Sequence, residues 1–410
     1  MGLGRAGVGL LCLVAAFAGQ GELPPELSLL ARIKQRMAHN LSRAPNYTCL
    51  ETIERSARDH PSQRFRTADR LRLEVALVNR KELFSWPGAE KFEEKSLNDL
   101  VGGGTTTTGD FALHARAVFL SRAPTFAYVG EEIRQGRRTV HYSYRVSRLL
   151  SGYNMEVGDR RATVGFHGNL WVDRETLDLI RLEVRADDVP SDLGVSEAIT
   201  EIEYGNVRVA DSEFLLPQSV VFTMKQLSGE ERRNHTVFTG CRQYVGRAVL
   251  SFEEAPGEHS AAPNQPAKIE LPAGLSLDAR LATAIDSQKA AVGDPITATV
   301  AEDVKKEGKV IVPKGAVLAG RIRRLERRFG RTEHYMVGLE FSSLQFQDKR
   351  AGFFADLEQI GPISGVSAKQ PPVLAFGEKP GVGMIFIRGS RCRLPRGFQM
   401  VWRTTGPSKE

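Results

Sequence analysis

Residues 101–111, "VGGGTTTTGDF", combine glycines with hydroxyl side chains, the residue types that cradle phosphate groups. Gly104 and Gly109 enclose four threonines, which is the glycine spacing of a phosphate-binding loop. That loop continues with a lysine that contacts the phosphates, but this chain has Asp110, whose carboxylate would repel them. Residues 92–100 are polar and do not predict the buried strand that precedes such a loop. The motif therefore does not predict a nucleotide site.

The residues after the motif indicate a different role. Phe111, Ala115 and Val118 share one face of a short helix predicted over residues 111–120, and Asp110 is placed to cap it. We interpret residues 101–109 as a hinge that lets this helix cover or uncover the interior of the protein.

Other catalytic and metal-binding motifs are missing from the sequence. It contains no HExxH, Cys-x-x-Cys, EF-hand or Gly-x-Ser-x-Gly motif, and its eight histidines have no ligand spacing. The adjacent acids Glu131-Glu132 and Glu253-Glu254 would point to opposite faces of a strand, which makes them poor acid–base pairs. The sequence therefore predicts no catalytic residue, metal or cofactor and favours a non-enzymatic protein.

The N-terminus has the pattern of a secretory signal. Arg5 precedes an apolar core at residues 8–17, and Ala16-Phe17-Ala18 has the small-x-small form of a cleavage site. We predict a signal peptide over residues 1–18, export across the inner membrane to the periplasm or envelope, and no transmembrane segment after cleavage.

Export gives the cysteines a structural meaning, because disulfides persist in oxidising compartments. Cleavage would leave Cys49, Cys241 and Cys392. Cys49 lies in the first predicted strand of the N-terminal region and Cys241 in one of its last strands. We predict a bridge between these two that closes a long loop and contributes roughly 4–5 kcal/mol. Cys392 then remains either buried or available for pairing with another molecule.

The net charge of +7 (pI 9.2) favours binding to anionic envelope surfaces or to acidic partners. The alternative interpretation is that this charge contributes to solubility alone. Export and the scarcity of interleaved aromatic residues argue against nucleic acid. The densest basic run, "GRIRRLERRFGR" at residues 320–331, is a candidate polyanion patch or simply a solvated strand face. The candidate patch residues are Arg321, Arg323, Arg324, Arg327 and Arg328.

Hydrophobic periodicity predicts the helices and strands that would position the candidate residues. Residues 22–43 predict a surface helix with a buried stripe at Leu30, Ile33, Met37 and Leu41. After it, apolar residues alternate with polar ones, which is typical of antiparallel strands with one buried face. Two such alternations provide the candidate apolar-ligand face: Leu71, Leu73, Val75, Leu77, Val140, Tyr142, Tyr144 and Val146.

The predicted fold class is mainly β (α+β): a curved antiparallel half-barrel with a few helices, followed by a small β-barrel or sandwich. The predicted boundaries are a signal peptide at 1–18, the helix and curved sheet at 22–254, a linker at 255–268 rich in Ala and Pro, and the small β domain at 269–410. The Gly/Pro-rich residues 361–381 predict a long loop.

Residues 25–42, "GNLWVDRETLDLIRLEV" at 168–184 and "EYGNVRVADSEFLLPQSVVF" at 203–222 resemble the periplasmic lipoprotein-carrier (LolA-like) superfamily. The resemblance covers about 200 residues and implies a half-barrel closed by short helices, with a concave apolar face able to hold an acyl chain. The insertion at 83–130 departs from the family.

The C-terminal region resembles the barrel of the outer-membrane channel subunit of type IV secretion systems (TrbI-like). The resemblance rests on "AIDSQKAAVGDPITATVAEDV", "KVIVPKGAVLAGRI" and "IFIRGSRCRLPRGFQMVW". It implies a barrel in an envelope setting and not a channel, because residues 361–381 cannot form the family's pore helices. The whole chain is also similar to uncharacterised exported bacterial proteins.

These observations lead to one favoured hypothesis and two alternatives. The favoured one is an exported envelope protein that binds a lipid or apolar peptide in the half-barrel and an envelope protein or anionic surface through its basic C-terminal domain. The alternatives are a structural or assembly module without ligand, and an enzyme that acts on envelope polymers.

Overall fold

The computed structural model describes residues 24–79, 81–89, 92, 97–101, 103–134, 136–244, 267–329, 332–362 and 380–406. The predicted signal peptide, residues 255–266 of the predicted linker and residues 363–379 of the predicted long loop lie outside the described residues.

Ten antiparallel strands form the first sheet, in the order β3-β2-β1-β12-β11-β10-β9-β8-β5-β4. Apolar residues alternate along them as the sequence predicts, so that one face of the curved sheet is buried. The strands are β1 (Tyr47–Arg58), β2 (Arg66–Val78), β3 (Lys81–Ser85), β4 (Thr125–Arg134), β5 (Arg137–Val146), β8 (Gly165–Asp173), β9 (Leu179–Asp187), β10 (Val195–Val209), β11 (Ser212–Gln226) and β12 (Glu231–Gln243).

Helices and a hairpin cover the concave face of the first sheet. They are α1 (Pro25–Arg43), α2 (Leu97–Val101), α3 (Leu113–Phe119), and the hairpin of β6 (Asn154–Val157) and β7 (Arg160–Thr163). Helix α1 begins at Pro25, inside the predicted range of 22–43, and buries Ile33 and Met37 against the sheet, whereas Leu30 and Leu41 are half-buried. The predicted fold class, a mainly β protein with a curled antiparallel half-barrel, is confirmed.

The second sheet has the order β13-β21-β20-β19-β16-β14-β25-β22, with β23 also paired to β20. It curls on itself, so that Gly383 on β23 comes against Leu357 on β22 and Trp402 on β25. Its strands are β13 (Ala267–Ile269), β14 (Ser276–Leu281), β16 (Pro295–Val300), β19 (Val317–Arg328), β20 (His334–Phe346), β21 (Lys349–Gly352), β22 (Ala355–Ile360), β23 (Gly383–Arg388) and β25 (Gln399–Thr404). Two small pairs flank it: β15 (Ile285–Asp286) with β24 (Arg393–Leu394), and β17 (Val304–Lys306) with β18 (Lys309–Val312).

The two sheets meet through main-chain hydrogen bonds. Strand β3 pairs with β2 only from Glu74 to Val78, which leaves the outer edge of β2 open before that point. There Val292 forms a parallel bridge with Leu71: the Arg72 N–H donates to the Val292 carbonyl and the Val292 N–H donates to the Arg70 carbonyl, each at 2.8 Å. The loop that precedes β16 of the second sheet thus docks on an otherwise unpaired strand edge.

Candidate functional site

The eight residues of the candidate apolar-ligand face lie together on the concave side of the first sheet, in one hydrophobic cluster with residues of α1 and α3. Each has at most 9% of its surface exposed. The Tyr142 hydroxyl donates to the Glu26 carbonyl at 2.6 Å, and the Tyr144 hydroxyl donates to the Glu183 carbonyl at 2.7 Å. The chain's own helices therefore cover this face, and the ligand assignment stays a prediction that requires the cover to move.

The glycine- and threonine-rich segment crosses the concave face as an extended connection to α3. Gly103, Gly104 and Gly109 have positive φ values, which glycine adopts without strain. Arg55 donates from Nη1 to the Gly103 carbonyl at 2.6 Å, and Asn234 donates from Nδ2 to the Thr105 carbonyl at 3.0 Å. Two side chains of the first sheet thus hold the start of the segment.

The prediction that Asp110 caps the following helix is wrong. Ala112 occupies the N-cap position of α3 without a side-chain cap, while Asp110 accepts a hydrogen bond from Thr107. Glu82 on β3 instead accepts from the N–H groups of Gly109 at 2.6 Å and Ala112 at 2.9 Å. A carboxylate from a distant strand therefore satisfies the helix start, a contact that local sequence spacing does not reveal.

Sequence reasoning also missed two carboxyl groups, Glu51 and Glu82, that lie close to Asp110. Burial, and then the charges of Asp110 and Glu82, raise the pKa of Glu51 well above its ordinary value. Burial also raises the pKa of Glu82, although its backbone hydrogen bonds oppose that rise. His114 Nε2 lies 3.4 Å from Asp110 Oδ1, so an imidazole borders these carboxyl groups.

The burial of Glu51 could have been predicted from its position in the sequence. It shares strand parity with Cys49 and Ile53 on β1, so it had to face the same apolar interior. Its Oε2 atom has no hydrogen-bond partner in the part of the chain that the structure describes. A buried carboxyl of this kind is most stable in its neutral form.

The candidate polyanion patch is not a flat exposed surface. The side chains of Arg323, Arg324 and Arg327 are exposed by 14%, 24% and 26%, and only Arg328 reaches half exposure at 51%. Arg321 is more than half buried over the Trp86 ring of the segment after β3, and burial lowers its pKa. The run thus faces the first sheet, and the polyanion assignment stays a prediction.

A cleft of about 570 Å³ lies where this basic strand meets the first sheet. One wall consists of β1, β2 and β12, the other of β19 and β23, and residues 103–105 form part of the rim. Deep in the cleft, Arg55 Nε donates to Asp69 Oδ1 at 2.7 Å in a bidentate pair. Arg55 and Asp69 share strand parity with the buried Ile53 and Leu71, so the cleft lies at the polar end of the concave face.

The predicted disulfide between Cys49 and Cys241 is present. It joins β1 to β12, which are neighbours in the sheet although 192 positions separate the cysteines in sequence. Cys392 is buried and unbridged, and burial raises its pKa to about 12. Its thiol is therefore inert at neutral pH.

No group of three or more His, Cys, Asp or Glu side chains among the described residues is arranged to hold a metal ion. Within the same residues, none of the helices has both the length and the apolar character to cross a membrane.

No protein-family model matches the chain, and no curated protein matches it either. Two crystal structures are similar to part of it. One, described as an outer membrane lipoprotein-sorting protein domain from Vibrio parahaemolyticus, has 11% identity and a TM-score of 0.28 over 55% of this chain and 95% of that chain. The other, a DUF1329 family protein from Desulfovibrio piger, has 10% identity and a TM-score of 0.30 over 56% of this chain and 97% of that chain. Similarity of this extent assigns no ligand and no function.

Proposed function

We propose that this chain is a non-enzymatic binding protein of the bacterial envelope that takes a lipid or another apolar ligand into the curved first sheet. One observation supports the proposal above others: α2 and α3, two of the helices that cover the apolar concave face, are joined by a glycine-rich segment. The signal-like N-terminus and the Cys49–Cys241 disulfide support an exported protein.

The cover is held in a way that permits opening. Phe111 inserts between Tyr47 and Phe238 of the sheet, with ring centroids 4.8 and 5.1 Å away. Ala115, Val118 and Phe119 of α3 pack in the same hydrophobic cluster. Side-chain hydrogen bonds with Arg55, Asn234 and Glu82 hold the polar part of the segment. A ligand chain that replaced the Phe111 ring would recover its apolar contacts, and the glycines would absorb the backbone change.

The experiment measures binding of 1-monolauroylglycerol, a neutral lipid, to the full chain by isothermal titration calorimetry. We expect saturable binding with a Kd on the order of micromolar, from burial of the acyl chain against the costs of association. Phe111→Ala removes the competing ring and is expected to tighten binding about fivefold. The matched control, Phe398→Ala, removes a buried ring just before β25, away from the concave face, and is expected to leave binding unchanged.

A second candidate function is a structural or assembly module without ligand, and the closed concave face favours it. The same titration separates the two candidates. If neither the wild type nor Phe111→Ala binds 1-monolauroylglycerol, the proposed lipid-binding function is ruled out and the structural module remains. If Phe111→Ala does not fold, Val118→Ala opens the same cover by a smaller volume.

A further inference from the structure

The cleft between the two sheets has a composition that the proposed apolar ligand does not explain. Its described lining includes seven arginines but only four carboxylates. Glu340 and Glu333, outside this lining, pair with Arg323 and Arg327, which leaves one guanidinium in excess of the carboxylates. A solvent-connected cleft of this charge attracts anions, and its low-dielectric walls strengthen that attraction. The lining residues with charge are Arg55, Arg66, Arg232, Arg323, Arg324, Arg327, Arg328, Asp59, Asp69, Glu230 and Glu326.

The arginines approach the cleft from opposite walls. Arg232 belongs to β12 of the first sheet, whereas Arg327 and Arg328 end β19 of the second. Asn234 and Thr105 add polar groups to the first wall. Donors that converge from two sides suit a compact anion that accepts hydrogen bonds in several directions better than a flat carboxylate.

Two of these guanidinium groups keep donor capacity after their internal contacts. Arg327 donates from Nη2 to Glu333 at 2.7 Å, and its buried Nε has no partner among the described residues. Arg232 donates from Nε to Glu230 at 2.8 Å, which uses one of its five N–H donors. Arg55 differs, because its bidentate bond to Asp69 and its bond to Gly103 have a structural role.

We propose that this cleft binds a phosphoryl group, with Arg232 and Arg327 as contacts from the two walls. The group belongs either to free phosphate or to the head of a lipid whose chain enters the concave face, and only the second source rests on the proposed function. The cleft volume exceeds that of a single ion and falls within the range of small-molecule sites.

The test titrates the full chain with three probes: inorganic phosphate, dihexanoyl phosphatidic acid below its micelle concentration, and 1-monolauroylglycerol, which is neutral. The variants are Arg232→Gln and Arg327→Gln, one from each wall. Arg137→Gln is the matched control, because Arg137 is exposed on β5 near the opposite edge of the first sheet. Near-UV circular dichroism checks the fold, and Arg328→Gln replaces Arg327→Gln if the latter does not fold.

We expect at least one phosphate probe to bind the wild type, each cleft variant to bind it about tenfold more weakly, and the control to be unchanged. Phosphatidic acid that binds at least tenfold more tightly than inorganic phosphate identifies a lipid source; similar affinities identify free phosphate. No binding of either phosphate probe, or an equal loss in Arg137→Gln, would overturn the proposal.

The neutral lipid separates this proposal from the proposed function. Binding of 1-monolauroylglycerol without binding of either phosphate probe removes the phosphoryl site and keeps the apolar ligand. Binding of a phosphate probe without binding of 1-monolauroylglycerol would support the phosphoryl site and contradict the proposed apolar ligand.

Discussion

The two sheets of this protein bury very different side chains. Of thirteen buried polar or charged residues in the described chain, twelve lie in the first sheet and its cover, and only Thr404 lies in the second. A core that serves stability alone is most favourable when it is apolar, because each buried polar group must recover its lost hydration. The second sheet follows this rule, whereas the first departs from it at Glu51 on β1 and at Asp110 in the connection to α3.

This difference indicates a division of roles. The second sheet is a stable platform that docks on the open edge of β2 and supplies one wall of the arginine-lined cleft. The first sheet holds the titratable groups, the glycine-rich segment and the cover that the proposed function needs to move.

The largest expected effect tests how far the first sheet depends on its covalent link. The double variant Cys49→Ser/Cys241→Ser is expected to lower the free energy of unfolding by about 4–5 kcal/mol, because the bridge closes a long loop in the unfolded chain. Guanidinium denaturation followed by circular dichroism measures the loss. Cys392→Ala is the control, since this thiol is buried but unbridged, and its expected cost is about 1 kcal/mol. Equal losses in the two variants would contradict the prediction.

The second effect tests the tight packing of the platform. Trp402 on β25 is fully buried, with its ring 5.5 Å from Phe341 in an edge-to-face arrangement. Trp402→Ala is expected to cost about 4 kcal/mol, from lost burial and the remaining cavity. Trp171→Ala in the first sheet is the comparison, because that ring lies between His141 and the guanidinium of Arg134. We expect it to cost less than half as much in the same denaturation experiment; a larger loss at Trp171 would reverse the proposed contrast.

The sequence predicted those parts of the fold that depend on periodicity. Alternation at residues 71–77 and 140–146 identified two strands and the face that they bury, because a strand exposes every second side chain to the same side. Helix α1 followed from its apolar stripe. The Cys49–Cys241 pairing followed from placing the two cysteines in the first and last strands of one sheet.

The site could not be predicted in the same way, because it depends on contacts between distant residues. Glu82, and not the adjacent Asp110, satisfies the start of α3 from another strand. The basic run of β19 suggested a free patch, but docking of the second sheet turns most of it into a cleft against β1 and β12. Hydropathy carries no information on which strand edge remains open for such docking.

The third effect is a pH dependence of folding stability that arises from a buried carboxyl group of the first sheet. The pKa of Glu51 is raised in the folded state, so the folded protein binds this proton more tightly than the unfolded chain. The stability from Glu51 is thus complete below its unfolded pKa near 4.5 and is lost as pH rises toward the folded pKa, by up to about 1.4 kcal/mol per pH unit.

Glu51→Gln keeps the shape of the side chain without a titrating proton, so the decline in stability above pH 5 should become shallower. Urea denaturation at several pH values between 5 and 8 measures the slopes. Glu82 retains its own raised pKa, so the variant is expected to keep part of the decline. An unchanged slope in Glu51→Gln would show that the buried carboxyl does not control stability in this range.

The smallest effect tests whether the glycine-rich segment is fitted to the sheet or merely passes over it. Gly104 and Gly136 both have positive φ values, so alanine at either position costs about 1 kcal/mol in backbone strain. A Cβ at Gly104 would also overlap the Arg55 guanidinium, which Asp69 and the Gly103 carbonyl hold in place, whereas a Cβ at Gly136 meets nothing within 4 Å. We therefore expect Gly104→Ala to cost about 1 kcal/mol more than Gly136→Ala in thermal unfolding. Equal costs would mean that Arg55 gives way freely and that the segment is not anchored at the polar end of the concave face.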